Sequence, residues 1–199
     1  MAAPVQAPEP TAGASRTDRV EQKLRERFPD APFRRQEGEA VRDATLFVPR
    51  ERIVEVCTFL RDDPDLAFTM LASVAGVDLL PQDPRFEVVY HLLSIPHNLR
   101  YVLKVQVAEA DLRVPTVTGV WPTADWLERE TFDFYGIVFE GHPDLTRILL
   151  PDDWVGWPLR KDSPLGYQEV SFTHNTRGRT VPAPDLTVLK PKKVRYRAH

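Results

Sequence analysis

The sequence predicts an α+β chain of two layers, an antiparallel or mixed sheet with helices on one face, followed by an extended, loop-rich C-terminal segment. Three observations predict it. Phe86, Val88, Tyr90 and Leu92 occupy alternate positions, as do Tyr101, Leu103, Val105 and Val107, and a short polar turn over residues 96–98 joins the two runs. That pattern is an antiparallel hairpin with one apolar face. Two upstream segments carry apolar residues at helical spacing, which supplies a cover for that face. Beyond Phe139 the chain is broken by Pro143, Pro151, Pro158 and Pro164, which leaves mostly loop and short turns.

Taken in order, residues 1–16 are rich in Ala and Pro with almost no large apolar side chains, and are expected to form a disordered leader. A first helix is expected over 18–28, with Asp18 as N-cap and Val20, Leu24 and Phe28 on one face; Pro29 and Pro32 end it. A short strand over 45–48 stops at Pro49. A second helix follows over 50–61 with Ile53, Val56, Cys57 and Leu60 inward. Residues 66–80 are apolar and read equally as helix or strand. A third helix is expected over 124–135, started by Thr123 and ended by Gly136. The organisation is therefore a leader (1–16), an α+β domain (17–140), Pro-rich loops that pack on a partner (141–170), and an extended basic tail (171–199).

Composition narrows the function. The net charge of −3 and pI near 6.0 do not suit a nucleic-acid binder. Cys57 is the only cysteine, so the chain has neither an internal disulfide nor the thiolates of an iron–sulfur cluster. It sits on an apolar stripe and reads as a small buried hydrophobe. The N-terminal stretch has no basic or apolar region of a secretory signal, and no run approaches the roughly 20 apolar residues of a membrane span. No phosphate-binding glycine loop and no nucleophile elbow occur.

The segment richest in chemistry is the third helix, which carries Glu128, Arg129, Glu130, Asp133 and Tyr135. Glu128 and Glu130 are two apart and point away from each other, which argues against a catalytic carboxylate pair. Arg129 and Asp133 are four apart and can pair, although Arg before Asp is the weaker order against the helix dipole. The helix is apolar nearly all round, so its carboxylates are expected to meet basic partners, either within the chain or on another protein. His142, between Gly141 and Pro143, reads as a turn residue that caps nearby carbonyls. All four tryptophans fall between 121 and 157, as a local core or as interface anchors. The tail beyond Thr176 carries Arg177, Arg179, Lys190, Lys192, Lys193, Arg195 and Arg197 against Asp185, which suits a solvated end or a groove on an acidic partner.

The string Glu128-Arg129-Glu130, Asp133 and Gly136, then Gly141-His142-Pro143-Asp144-Leu145, Ile148-Leu149, and Pro158-Leu159-Arg160-Lys161-Asp162 with Pro164-Leu165 resembles the 30-kilodalton (C) component of bacterial NADH–quinone oxidoreductase, respiratory complex I. Gly76-Val77-Asp78 and Pro115-Thr116-Val117 also fit. Phe132, Trp157 and Ser163 depart from residues frequent in that family. The resemblance implies a peripheral-arm subunit on the cytoplasmic side of the bacterial plasma membrane, beside subunits D and B. It implies no cofactor in this chain, with FMN and iron–sulfur clusters in partner subunits. The same resemblance extends to related membrane-bound hydrogenases and to other quinone- or phenazine-linked dehydrogenases. A free-standing hydrolase using Glu130 and His142 is the alternative from a different class.

Overall fold

The alternating runs pair as expected. In the computed structural model, which describes residues 11–36 and 43–163 and the side chains from residue 16 on, β4 (Phe86–Ser94) and β5 (Leu99–Val107) form an antiparallel hairpin in continuous register from Phe86↔Val107 to Ser94↔Leu99. β3 (Met70–Asp78) adds antiparallel to β4. On the other side β2 (Thr45–Phe47) pairs parallel to β5, and β1 (Arg34–Arg35) pairs antiparallel to β2. The result is a mixed five-stranded sheet in the order β1-β2-β5-β4-β3.

One face of this sheet presents Phe86, Val88, Tyr90, Leu92, Tyr101, Leu103, Val105 and Val107, all buried. Two helices cover it: α1 (Thr11–Arg27) through Val20 and Leu24, and α2 (Ile53–Asp62) through Ile53, Val56, Cys57 and Leu60. Burying such side chains supplies about 1.5–3 kcal/mol each, so this layer is the main source of stability. Cys57 is a buried free thiol, and burial pushes its pKa far up, which keeps it protonated and inert.

α3 (Ala124–Tyr135) packs on β3 at the sheet's edge. Contact is closest at Gly76, where an added Cβ would stand 2.6 Å from Tyr135 Cδ2 and 3.1 Å from Thr131 Cγ2. β6 (Arg113–Pro115) and β7 (Val138–Glu140) make a small parallel pair on either side of α3 in sequence.

Several expectations are corrected. α1 begins at Thr11, inside the stretch that composition assigns to a leader. Its alanines favour helix as strongly as any residue, and Asp18 is mid-helix, paired with Arg35 Nη1 at 2.7 Å instead of capping. The second helix opens as a 3₁₀ turn (Arg50–Arg52). Thr123 precedes α3 without capping it; its hydroxyl donates to Leu71 O instead. Gly136 does end α3, with φ +73. The ambiguous 66–80 stretch supplies strand β3. The tail 171–199, the end of the Pro-rich loops (164–170) and residues 1–10 lie outside the described residues.

Gly76→Ala is expected to destabilise the full-length chain by about 1–3 kcal/mol through overpacking against Tyr135, read as a lower midpoint in urea denaturation.

Candidate functional site

Residues 141–163 carry much of the motif string quoted from the sequence, and in the structure they drape over α3 and the adjoining β3–β4 turn. What holds them there is a set of buried ionic groups. Asp133 is fully buried and accepts from Arg147 Nη1 at 2.9 Å and from three consecutive backbone amides, Ile148 (3.2 Å), Leu149 (2.8 Å) and Leu150 (2.9 Å). Burial pushes this carboxyl's pKa up, but the three amides and the guanidinium together outweigh it and hold the group below the ordinary carboxylate value.

The Arg129–Asp133 pair that the spacing allows is not formed. Arg129 lies over the Trp126 ring and donates to the carbonyl and hydroxyl of Thr146 at 3.1 and 2.7 Å. The spacing on the helix permits the pair, but Arg147 and the amide run bring Asp133 a more complete set of donors in a dry place.

A second anchor is centred on Arg85, also buried. Its guanidinium holds Asp78 through Nε at 3.1 Å and Nη2 at 2.8 Å, Asp162 at 2.7 and 3.2 Å, and Glu109 at 2.8 Å. Lys161 adds its backbone N–H to Asp78 at 2.8 Å and its ammonium to Leu80 O at 3.3 Å. Arg85 holds the Asp78 carboxyl well below the usual range. Arg160 donates from Nε to Tyr135 O at 2.7 Å and lies over the Phe86 and Trp157 rings. Trp157 in turn covers Gly136, where a Cβ would stand 2.4 Å from its Cε2. Of the sequence-predicted residues, Tyr135, Arg160, Lys161 and Asp162 are thus brought together. Sequence reasoning misses Arg85; it follows Pro84 in a turn, and no spacing signals a charge that will be buried by residues far along the chain.

Glu128 and Glu130 diverge as expected. Glu130 is exposed, while Glu128 is fully buried and accepts from Thr116 Oγ1 at 2.5 Å and Val117 N at 2.8 Å. Burial pushes its pKa up to about 7 against those two donors, with Asp125 acting in the same direction. The expectation of a basic partner for each carboxylate fails here, because a hydroxyl and an amide take that place. His142 has a fully buried side chain in a turn, as the sequence predicts. Its Nδ1 accepts from Asp144 N–H at 3.1 Å, and Nε2 faces the Asp125 carbonyl at 3.2 Å. It lies beside Glu128, at 4.0 Å, and not in a pair with the exposed Glu130 that a hydrolase would use. Gly141 has φ +81, a value glycine adopts without strain, and Pro143 is exposed beside it.

Outward, the same region presents large apolar side chains, with Trp126 62% exposed, Leu149 59%, Trp154 46%, Val155 53% and Leu159 50%, beside the exposed Asp152 and Asp153. The tryptophans divide, since Trp121 is buried with its indole N–H on Phe68 O at 3.1 Å. Among the described residues no three His, Cys, Asp or Glu side chains gather as metal ligands, and no helix is long and apolar enough to cross a membrane.

Residues 46–169 match the family described as the respiratory-chain NADH dehydrogenase, 30 Kd subunit. The chain belongs to that family. The corresponding NADH-quinone oxidoreductase component (C) of Roseiflexus sp. (strain RS-1) is 53% identical over 156 residues, 78% of this chain and 88% of that protein. Its counterpart in Geotalea uraniireducens (strain Rf4) is 46% identical over 154 residues, 77% and 92%. Among solved structures, the trypsin-resistant fragment (1–134) of Nqo5 aligns with TM-score 0.54 and 38% identity over 65% of this chain and 99% of that one. A chain of the membrane-bound sulfane sulfur reductase, an archaeal respiratory membrane complex, aligns with TM-score 0.61 and 25% identity over 73% and 84%. Membership in the 30 Kd family makes the chain a subunit type of an oxidoreductase complex, and the anchors described above fall within the matched residues.

Arg85→Met leaves Asp78 buried without its cation and is expected to cost about 3–5 kcal/mol; urea denaturation and faster proteolysis between residues 157 and 163 check it. Asp133 titrates lower folded than unfolded, so its contribution is complete above the ordinary carboxylate range near pH ~4 and is lost as pH falls through the folded value. Asp133→Asn is expected to lower stability at neutral pH and to flatten that acid limb in a pH series of denaturation midpoints.

Proposed function

We propose that this chain is a non-redox structural subunit of the peripheral arm of a proton-pumping NADH:quinone oxidoreductase. In this reading it fixes the position of the quinone-reducing module. Electrons pass from NADH through FMN and iron–sulfur clusters to quinone in partner subunits, with subunits D and B beside this one, on the cytoplasmic side of the bacterial plasma membrane. The observation that carries the reading is the two-sidedness of residues 141–163. Arg147, Arg160 and Asp162 turn inward onto Asp133, Tyr135 and Arg85, and the Lys161 amide meets Asp78, while Leu149, Trp154, Val155 and Leu159 face out beside the exposed Asp152 and Asp153. A loop pinned from beneath that presents large apolar side chains above has the form of a docking surface. Glu128, Arg129, Asp133, Tyr135, Gly141, His142, Arg160, Lys161 and Asp162 build that surface. Glu130 and Pro143, both exposed, face the partner.

The alignment with a chain of an archaeal respiratory membrane complex favours a second reading, the equivalent place in a related membrane-bound complex.

Gentle purification of the tagged chain from its native cell separates these. Companions that oxidise NADH and reduce quinone support the first reading, hydrogenase-type or sulfur-reducing companions the second, and a chain that purifies alone overturns both. Leu149→Asp with Trp154→Ser is expected to leave the isolated chain's stability within about 0.5 kcal/mol per site and to abolish co-purification of the companions.

A further inference from the structure

Glu128 is a buried carboxyl that, among the described residues, has no lysine or arginine within ion-pair distance. The ionisable groups that face it are Asp125 from its own helix, Cys57 from α2, Tyr90 from β4 and His142 from the turn after β7. Three of these are acids and offer no positive charge. The fourth, His142, is already committed. Its Nδ1 accepts the Asp144 amide, and its Nε2 faces the Asp125 carbonyl at 3.2 Å and the Asp125 carboxylate at 3.3 Å. Nε2 stands 4.0 Å from the Glu128 carboxyl, beyond hydrogen-bond reach.

The Glu128 carboxyl nevertheless has a route outward. Thr116 Oγ1, its hydrogen-bond partner, lies 3.0 Å from Thr118 Oγ1, and either hydroxyl can be the donor. Both threonines are half-buried, whereas Glu128 has no exposed surface. A hydroxyl both donates and accepts, so the pair can run in either direction.

We propose that Glu128 is a proton-binding site that exchanges with solvent through the Thr116–Thr118 hydroxyl pair. In the protonated state Glu128 O–H donates to Thr116 Oγ1, and the Thr116 hydrogen turns to Thr118 Oγ1. On release the Glu128 proton passes to Thr116 Oγ1 as the Thr116 hydrogen passes to Thr118 and the Thr118 hydrogen passes to water. The hydroxyls then point inward, toward the carboxylate. One proton leaves, the carboxylate gains one negative charge, and nothing is oxidised or reduced. Burial favours the neutral acid, while the Thr116 hydroxyl and Val117 amide favour the anion, and the balance places the exchange near neutrality. The site belongs to the chain itself and does not depend on the assembly it joins.

The test is a titration of the full chain, carrying ¹³C at its glutamate side-chain carboxyls, from about pH 3 to about pH 9. The resonance assigned to Glu128 is expected to titrate near 7 together with the Val117 amide, apart from the resonances of the exposed glutamates. A Glu128 resonance that moves with the exposed ones overturns the proposal, and this result needs no variant to fold. Thr116→Val removes a donor that favours the anion, so the midpoint is expected to rise by about one pH unit, with Thr116→Ser restoring it; an unmoved midpoint counts against the site. Thr118→Val is expected to keep the midpoint and slow the exchange, broadening the resonance through the transition. An unchanged line width there overturns the route.

Discussion

A charge taken out of water must be met by hydrogen-bonding groups, and the path of residues 141–163 is set by that requirement. Arg85 and Asp133 are the two places where it is most demanding. Each is buried, each costs several kcal/mol if left unpaired, and each draws partners from the C-terminal loops: Asp162 at Arg85, beside Asp78 and Glu109 from the sheet layer, and Arg147 with three successive amides at Asp133. A loop with so many prolines has little secondary structure of its own to fix its backbone. Here, charges planted in the α+β layer substitute for a ladder of strand or helix hydrogen bonds. Trp157 over Gly136 and Arg160 over Phe86 then close the remaining space.

The legible parts of this architecture are those written in local period. The β4–β5 hairpin and α2 repeat their apolar residues at intervals of two or near four, and the structure places them where that period predicts. β3 is ambiguous in sequence because Ala72, Ala75 and Gly76 are small. The structure gives the reason at Gly76: the helix above it comes too close for a side chain. α1 reads too short, because an alanine-rich opening looks the same whether it is coil or helix.

The site is only partly legible, for a different reason. Which side of α3 each carboxylate takes follows from helical geometry, so Glu128 and Glu130 separate correctly on the helix alone. Who meets them does not follow. Thr116 precedes Glu128 by a dozen residues, Arg147 follows Asp133 by a similar interval, and Arg85 meets an aspartate 77 positions on. Such partners are chosen by tertiary folding, and a preference written into a single helix, such as Arg129 for Asp133, yields to them. Family resemblance marks most of these residues as belonging together without saying what each one touches.

The parallel pairing of β2 with β5 has a kinetic consequence. Thr45 lies opposite Val102, so more than fifty residues separate the two strands, and the intervening chain includes α2, β3 and β4. Closing a loop of that length costs entropy before any contact repays it. The hairpin, with its short turn, is under no such constraint. Folding is therefore expected to proceed from the β3–β4–β5 meander outward, with β2 and β1 added last, and the edge they form is the part of the sheet that opens first when the protein is stressed.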